Sequence, residues 1–181
     1  FNQFATQLCR RLIRDYDLQG KQILEIDCGK GQFLAMLCEM ADARGIGIDP
    51  CCAPERLSQE ANGRLRFIRD LYDERYGHLA ADLICCRHTL EHIHQTRDFL
   101  QTVRRSIGDR ERTLVFFEVP DVVRVLEECA FWDIYYEHCS YFSPGSFARL
   151  FRSCGFEIVE LVRDYGDVAV ANVVTEWLVG G

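Results

Sequence analysis

The sequence predicts an α/β fold in which a mostly parallel sheet carries helices on both faces. Short apolar segments alternate with segments whose apolar residues recur at helical spacing, and this alternation is typical of βαβ units. A glycine turn, formed by Gly29 and Gly31, stands between the first apolar segment and the first helix. With 181 residues and 48% hydrophobic content, the chain fits one α/β domain over residues 1–181 with a full core.

Seven apolar segments are predicted as strands. In chain order they are Gln22–Ile26, Gly45–Ile48, Leu65–Ile68, Leu83–Cys86, Leu114–Val119, Glu157–Val162 and Val168–Thr175. Pro120 stops the fifth, because proline has no N–H to donate to a neighbouring strand. The last two are expected to form a hairpin around Tyr165-Gly166-Asp167, which makes the final strand antiparallel.

Three helices are predicted from buried stripes at helical spacing. Their apolar residues are Phe33, Leu34 and Leu37 in the first, Phe99, Leu100, Val103 and Ile107 in the second, and Phe147, Leu150, Phe151 and Cys154 in the third. Gly108 and Gly155 are expected to end the second and third helices. Ser143-Pro144 supplies an N-cap and a first-turn proline for the third.

The segment from Gln22 to Pro50 is the most informative part of the chain. It combines a strand, a glycine turn, a helix and a second strand that delivers Asp49 at its carboxyl end. Gly29 and Gly31 let the backbone turn tightly and pass close to a ligand. A carboxylate at the position of Asp49 can accept hydrogen bonds from two ribose hydroxyls. The segment therefore predicts a cofactor that carries a ribose.

The residue at position 34 distinguishes two classes of cofactor. A dinucleotide fingerprint requires Gly or Ala three residues after Gly31, and this chain has Leu34 there. The pattern hydrophobic, Glu, hydrophobic, x, x, Gly, x, Gly, x, Phe, Leu instead resembles motif I of the class I S-adenosylmethionine-dependent methyltransferases. The resemblance extends over nearly the whole chain. It implies a Rossmann-like fold with seven strands, the last one antiparallel, and S-adenosylmethionine as the cofactor.

The resemblance also implies which residues bind that cofactor. Ile48-Asp49 matches the acidic position after motif I, and Asp70 matches the position that commonly hydrogen-bonds the adenine amino group. Leu71 could lie against the adenine ring, and the backbone near Arg87 would contact the methionine part. The implied set is Glu25, Asp27, Gly29, Gly31, Phe33, Asp49, Pro50, Asp70, Leu71 and Arg87.

Asp27 replaces the first glycine of the family's Gly-x-Gly-x-Gly pattern. Aspartate tolerates the left-handed backbone conformation better than most residues, so the turn can form. Its carboxylate would nevertheless repel the carboxylate of the cofactor. A non-catalytic module that keeps the fold for association is therefore an open alternative.

An aromatic, polar segment runs from Phe131 to Phe147, FWDIYYEHCSYFSPGSF. Together with Glu118-Val119-Pro120-Asp121 it resembles a segment of the sugar C-methyltransferases. In those enzymes the residues that match Tyr135, Glu137, His138 and His92 lie in the active site. The alternative is that the segment only covers the cofactor or packs against the sheet.

The implied reaction is methylation of a carbon in a nucleotide-linked keto sugar or a similar small polar metabolite. Carbon becomes nucleophilic only after deprotonation, so a base must take the proton next to the carbonyl. His138, paired with Glu137 or another carboxylate, could be that base, and Tyr135 and His92 could donate hydrogen bonds to the enolate. An oxygen or nitrogen acceptor, which needs no carbon base, is the main alternative.

Other site classes are weaker. His88, His92 and His94 suggest a metal, but a zinc hydrolase motif needs Glu directly after the first His, and Thr89 occupies that place. We therefore predict no metal. An NAD-dependent oxidoreductase is disfavoured by Leu34.

Composition and charge limit the partners. A net charge of −7 argues against a nucleic-acid binder. The ten cysteines include adjacent pairs and lie mostly inside apolar segments, so we expect reduced thiols. No signal peptide and no membrane-spanning apolar run are recognisable, so a cytosolic location of the bacterial type is expected. Nothing in the pattern predicts the oligomeric state.

The chain begins with Phe1 instead of an initiator methionine, so we expect it to be a piece of a longer protein. The sugar C-methyltransferases usually carry an additional N-terminal zinc-binding domain and a C-terminal domain. If the parent protein has both, part of the acceptor pocket lies outside residues 1–181.

Overall fold

The computed structural model describes residues 2–52, 63–110, 112–165 and 169–176. The chain forms two compact units, Phe1–Cys85 and Cys86–Gly181. Strands alternate with helices, as predicted. The elements are α1 (Asn2–Tyr16), β1 (Gln22–Ile26), α2 (Gln32–Met40), β2 (Arg44–Ile48), β3 (Leu65–Ile68), β4 (Leu83–Arg87), α3 (Thr96–Ile107), β5 (Leu114–Pro120), α4 (Val122–Glu128), α5 (Pro144–Ser153), β6 (Glu157–Tyr165) and β7 (Ala169–Glu176), with short 3₁₀ helices at Glu74–His78, Leu90–His92 and Phe131–Asp133.

The first unit contains strands in the order β3-β2-β1-β4, and β1, β2 and β3 are parallel. Ile26 pairs with Ile48, and Ile48 pairs with Ile68, so the three strands end level with one another. The amide of Asp27 donates to the carbonyl of Ile48 (2.7 Å), and the amide of Asp49 donates to the carbonyl of Ile68 (3.0 Å). The turns after these strands therefore meet at one edge of the sheet, where ligands bind in open α/β sheets.

Helix α1 is absent from the predicted elements. Ala5, Leu8 and Leu12 are buried, and their spacing of three and four residues gives the helix one apolar face. Since this spacing is visible in the sequence, periodicity alone was enough to indicate the helix.

The second unit contains strands in the order β4-β5-β7-β6, and β4 includes residues on both sides of the division at Cys85. Strand β7 is antiparallel to both β5 and β6, which confirms the predicted antiparallel last strand. Val168, the predicted start of that strand, lies outside the described residues. The same holds for Gly166-Asp167 at the centre of the predicted hairpin.

The third predicted helix is confirmed as α5. Ser143 and Ser146 form a reciprocal capping box at its start, and Pro144 occupies the first turn. Phe147 and Phe151 are fully buried, and the ring centroid of Phe151 lies 5.1 Å from that of Phe117 in β5. Aromatic packing of this kind fixes α5 within the second unit.

Helix α4 was not predicted. It follows Asp121 at the end of β5, and the carboxylate of Asp121 accepts a hydrogen bond from the amide of Val123 (3.0 Å). The guanidinium of Arg163 contacts the other carboxylate oxygen. Asp121 therefore begins the helix and links it to β6.

Two general expectations concern cysteines and membranes. None of the ten cysteines, all of which lie among the described residues, forms a disulfide bond, and seven of them are buried. Within the described ranges, no helix combines the length and the apolar character needed to cross a membrane.

Glycine at position 47 is required by packing in β2. A Cβ at Gly47 would lie 2.6 Å from Sγ of Cys28 and 2.7 Å from the ring of Phe67. We expect Gly47→Ala to lower the free energy of unfolding in urea by about 1–3 kcal/mol, the usual cost of overpacking a core. Gly145→Ala is the matched control, because a Cβ there meets nothing within 4 Å. Equal stability of the Gly47→Ala variant and the unmodified chain would contradict this packing.

Candidate functional site

The turn between β1 and α2 has positive φ at Asp27 (56°), Gly29 (53°) and Gly31 (66°). Asp27 therefore adopts the left-handed conformation, as predicted for the residue that replaces the first glycine of the motif. A Cβ at Gly31 would clash with the ring of Phe67, so glycine is needed there for space as well as for φ. At Gly29 nothing lies within 4 Å of a Cβ, so its backbone is open to a ligand.

Asp49 holds this turn against the loop after β2. Its carboxylate is 4% exposed and accepts hydrogen bonds from the amides of Gly29 (2.7 Å) and Cys51 (2.6 Å). Each carboxylate oxygen has a second lone-pair direction, so the group can still accept ribose hydroxyls. The structure gives Asp49 a scaffolding role in addition to the predicted ligand role.

Two of the predicted cofactor residues, Glu25 and Phe33, are buried in the first unit, at 4% and 7% exposure. Burial, followed by the charge of Glu25, raises the pKa of the Cys38 thiol to about 12, and the same two causes raise the pKa of the Cys28 thiol. Both thiols are therefore neutral at pH 7. Contact between Glu25 or Phe33 and a cofactor stays a prediction.

Asp70 lies in the loop after β3 with its carboxylate half-buried. It accepts hydrogen bonds from the hydroxyl of Tyr76 (2.6 Å) and the amide of Leu71 (2.8 Å), and these bonds hold its pKa below the usual range. The Leu71 side chain is exposed. Pro50 is also exposed, and its carbonyl accepts a hydrogen bond from Arg69 (3.3 Å). An ionised Asp70 beside an exposed apolar side chain suits the predicted adenine contact.

The second unit contains a row of ionisable groups that starts at Arg87. The Arg87 guanidinium donates two hydrogen bonds to Oε1 of Glu118, at 2.6 and 2.9 Å. Nε2 of His88 lies 3.0 Å from the same oxygen, and Nδ1 of His88 lies 3.7 Å from Oε1 of Glu91. Glu118 and Glu91 are 0% and 2% exposed. Two buried carboxylates thus enclose one imidazole.

His88 is protonated in this row. Burial opposes the protonated form, but Glu118 and Glu91 outweigh it and raise the pKa of His88 to about 9. Burial likewise opposes ionisation of Glu118, yet His88 and Arg87 hold its pKa below the usual range. His88 also has a φ of 51°, which is uncommon outside glycine and places its ring between the carboxylates at a cost in backbone strain.

The structure brings three of the predicted catalytic residues together in the second unit. The ring centroid of His138 lies 4.9 Å from that of His92 and 5.2 Å from that of Tyr135. Tyr141 also faces His138, at 5.5 Å. Nδ1 of His92 lies 3.2 Å from the carbonyl of Glu137. At that distance Nδ1 of His92 can donate a hydrogen bond to the carbonyl.

The carboxylate of Glu137, the fourth predicted catalytic residue, is bonded to a neighbouring tyrosine. The side chain is exposed and accepts a hydrogen bond from the hydroxyl of Tyr136 (2.9 Å). The buried carboxylate near His138 is that of Glu91. Burial lowers the pKa of His138, and the charge of Glu91 is the strongest influence in the opposite direction. Glu91 is a site residue that was not predicted, although it directly precedes His92 in the sequence.

Glu91, His92 and His138 each offer one ligand atom, and these atoms lie within 4.8 Å of one another. A carboxylate and two imidazoles form a donor set that several divalent metals accept. This set is not the group of three histidines that the sequence suggested as metal ligands. His88 has positive φ and lies before the 3₁₀ helix Leu90–His92, so it does not share a helix face with His92. The prediction of no metal stays a prediction.

Residues 1–161 match the protein family described as "Methyltransferase domain". The match covers far more than half of the chain. The chain belongs to this methyltransferase family. The family predicted from motif I is thereby confirmed, and S-adenosylmethionine is the methyl donor of this class of domain.

Two curated relatives resemble this methyltransferase domain. C-methyltransferase NovU of Streptomyces niveus is 30% identical over 151 residues, which are 78% of this chain and 34% of NovU. The mitochondrial ubiquinone biosynthesis O-methyltransferase of Schizosaccharomyces pombe is 28% identical over 102 residues, 53% of this chain and 37% of that protein. The domain thus spans about one third of the length of each relative.

Solved structures share the fold. The dimethyltransferase RosA of Streptomyces davawensis has a TM-score of 0.72 at 19% identity, covering 97% of this chain and 55% of RosA. The magnesium protoporphyrin IX methyltransferase ChlM of Synechocystis, solved with bound S-adenosylhomocysteine, has a TM-score of 0.70 at 15% identity, covering 97% of this chain and 83% of ChlM. These similarities confirm the predicted Rossmann-like methyltransferase fold.

The row of ionisable groups around His88 predicts that the stability of the methyltransferase domain depends on pH. The pKa of His88 is raised from 6.5 to about 9 in the folded chain, so its contribution to stability is fully present below pH 6.5 and is lost as the pH rises through about 9. We expect the free energy of unfolding to fall more steeply from pH 7 to pH 10 in the unmodified chain than in His88→Asn. Asparagine is chosen because it accepts positive φ.

The matched control is His78→Asn, since His78 is exposed and bonds only to a backbone carbonyl in this structure. It should keep the steep dependence of the unmodified chain. Identical pH profiles for His88→Asn and the unmodified chain would rule out a protonated His88 in the folded state.

Proposed function

We propose that residues 1–181 form a single S-adenosylmethionine-dependent methyltransferase domain that methylates a carbon next to a carbonyl group. The acceptor in this proposal is a nucleotide-linked keto sugar or a similar small polar metabolite. The observation that carries it is the grouping of His138 with Tyr135, His92 and a buried carboxylate in the second unit. Methyl transfer to oxygen or nitrogen has less need of such a base.

The first unit would hold the cofactor. Asp49 would accept hydrogen bonds from the ribose hydroxyls, and the open backbone at Gly29 would lie beside the rest of the ligand. Asp70 would accept a hydrogen bond from the adenine amino group. Asp27 is exposed, so solvent screens its repulsion of the cofactor carboxylate, and the turn keeps the required left-handed conformation.

The second unit would prepare the acceptor. His138 takes the proton from the carbon next to the carbonyl, which leaves the electron pair of that C–H bond for the new C–C bond. When bound, S-adenosylmethionine would supply a methyl group already activated by its sulfonium, and the electrons of the broken C–S bond would remain on sulfur. The proton held by His138 passes to solvent after transfer.

Tyr135 is the better donor to the enolate oxygen. Its side chain is 53% exposed, so its hydroxyl can reach an acceptor. His92 uses its Nδ1 proton on the carbonyl of Glu137, so only a doubly protonated His92 could donate from Nε2. Proton abstraction by a general base typically contributes about 10²–10⁴-fold to the rate. Stabilisation of the enolate by a donor placed for it adds to that contribution.

A second candidate is transfer of the methyl group to oxygen. It is supported by the similarity to the Schizosaccharomyces pombe relative, which is an O-methyltransferase of ubiquinone biosynthesis. The cluster around His138 would then bind the acceptor without abstracting a carbon-bound proton.

Calorimetric titration with S-adenosylmethionine and S-adenosylhomocysteine tests the cofactor site. We expect micromolar binding, about −8 kcal/mol, and a loss of at least about tenfold in Asp49→Asn, because one amide donor would then face an NH₂ group. Asp27→Gly should bind S-adenosylmethionine more tightly, since it removes a negative charge beside the ligand carboxylate. Binding by Asp27→Gly alone would indicate a module that has lost its cofactor, and binding by neither variant nor the unmodified chain would contradict the proposal.

A panel of nucleotide-linked keto sugars, with mass detection of one added methyl group, tests the acceptor class. We expect transfer by the unmodified chain and a loss of kcat of at least about 100-fold in His138→Asn, the lower end of general-base effects. His78→Asn is the matched control with the same substitution at an exposed histidine of the first unit. If His138→Asn keeps most of the rate, the acceptor atom is oxygen or nitrogen.

A further inference from the structure

We propose that Glu91 is a positioning residue whose buried carboxylate orients the imidazole of His138, so that Nε2 faces the acceptor as the base. This inference rests on the proposed function for the role of His138. Glu91 is then the carboxylate paired with His138, a role for which the sequence suggested Glu137 or another carboxylate.

The first support is a pair of buried polar atoms with unmet hydrogen bonds. Glu91 is 2% exposed, and its Oε2 is a buried atom with no hydrogen-bond partner. Nδ1 of His138 is also buried and has no partner. A ring nitrogen of His138 and a carboxylate oxygen of Glu91 lie within 4.8 Å of each other. A hydrogen bond between Nδ1 and Oε2 would give both buried atoms a partner and would remove the free-energy cost of leaving them unpaired.

The second support is the backbone that holds the two residues together. The carbonyl of Glu91 accepts hydrogen bonds from the amides of Cys139 (2.7 Å) and Ser140 (3.1 Å). The amide of His138 donates to the carbonyl of Tyr135 (3.1 Å). The 3₁₀ helix that carries Glu91 is thereby fixed to the residues that directly follow His138. The backbone therefore holds Glu91 close to His138, as a Glu91–His138 hydrogen bond requires.

The third support is the charge behind Glu91. Nδ1 of His88 lies 3.7 Å from Oε1 of Glu91, and His88 is in turn bonded to Glu118. The positive imidazole is a partner for the buried carboxylate of Glu91. Oε1 of Glu91 therefore interacts with His88, and Oε2 of Glu91 is the oxygen that can accept a hydrogen bond from His138. Four titratable groups act on His138, namely Glu91, His92, Glu137 and His88.

Glu137 cannot take the same role in this arrangement. Its carboxylate is exposed and bonded to Tyr136, whereas only its backbone carbonyl contacts the cluster, through His92. An exposed carboxylate is screened by solvent and fixes a neighbouring ring less firmly than a buried one.

The test is ¹⁵N NMR of the histidine rings in the full chain, which reports which nitrogen of a neutral imidazole carries the proton. The spectrum needs no acceptor and no turnover. The His138 signals are assigned by their loss in His138→Asn. In the unmodified chain we expect the proton on Nδ1 and an unprotonated Nε2, since a carboxylate partner at one nitrogen determines the tautomer.

In Glu91→Gln the tautomer ratio of His138 should move toward the Nε2–H form by at least about tenfold, because a hydrogen bond to a charged group contributes that much to the equilibrium. Glu137→Gln is the matched control. It replaces the other carboxylate that acts on His138, one that is exposed and bonded to Tyr136. Glu137→Gln should keep the ratio of the unmodified chain, and a ratio that is equal in all three proteins would overturn the proposal.

Two further results distinguish the possibilities. If Glu91→Gln fails to fold, Glu91→Asp replaces it, and a shorter carboxylate should shift the ratio in the same direction by a smaller factor. If metal analysis finds one bound ion per chain that is lost in both Glu91→Gln and His138→Asn, the cluster is a metal site and the positioning role is wrong. Failure to methylate carbon would count against the proposed function and would leave the tautomer result standing.

Discussion

Two buried carboxylates in the second unit constrain everything around them. Glu118 and Glu91 have almost no exposure to solvent, so each must be balanced by a positive or hydrogen-bonding group. Arg87 and a protonated His88 balance Glu118, and His88 also faces Glu91. This requirement explains the uncommon backbone at His88, and it leaves one oxygen of Glu91 for the aromatic segment that contains His138.

In the first unit the comparable constraint lies in the backbone. Level parallel strands bring three turns to one sheet edge, and Asp49 bonds to amides on two of them. These features were predictable, because each position has a requirement of space or backbone conformation that only a few residue types satisfy. Gly31 has no space for a side chain, and a left-handed turn position accepts aspartate with little strain. Motif I therefore indicated the family from a few positions.

The parts that were not predicted depend on contacts between distant residues. The sequence shows Glu91 beside His92 and Glu137 beside His138, and adjacency favoured Glu137 as the partner. In the folded chain the exposed Glu137 bonds to Tyr136, while Glu91 is buried near the ring of a residue 47 positions later in the chain. Helix α4 was not predicted for the same reason, because its N-cap Asp121 also bonds to Arg163, which belongs to a later strand. Helix α1 could have been predicted, since the helical periodicity of its apolar residues is visible in the sequence.

The proposed reaction requires that this domain removes a proton from carbon before it transfers a methyl group. Deuterium exchange measures that step: a nucleotide-linked keto sugar is incubated in deuterated buffer with the domain and S-adenosylhomocysteine, which cannot donate a methyl group. We expect mass spectrometry to find deuterium next to the carbonyl with the unmodified chain and none above background with His138→Asn. Methyl transfer to the sugar from S-adenosylmethionine without any such exchange would rule out prior removal of the proton.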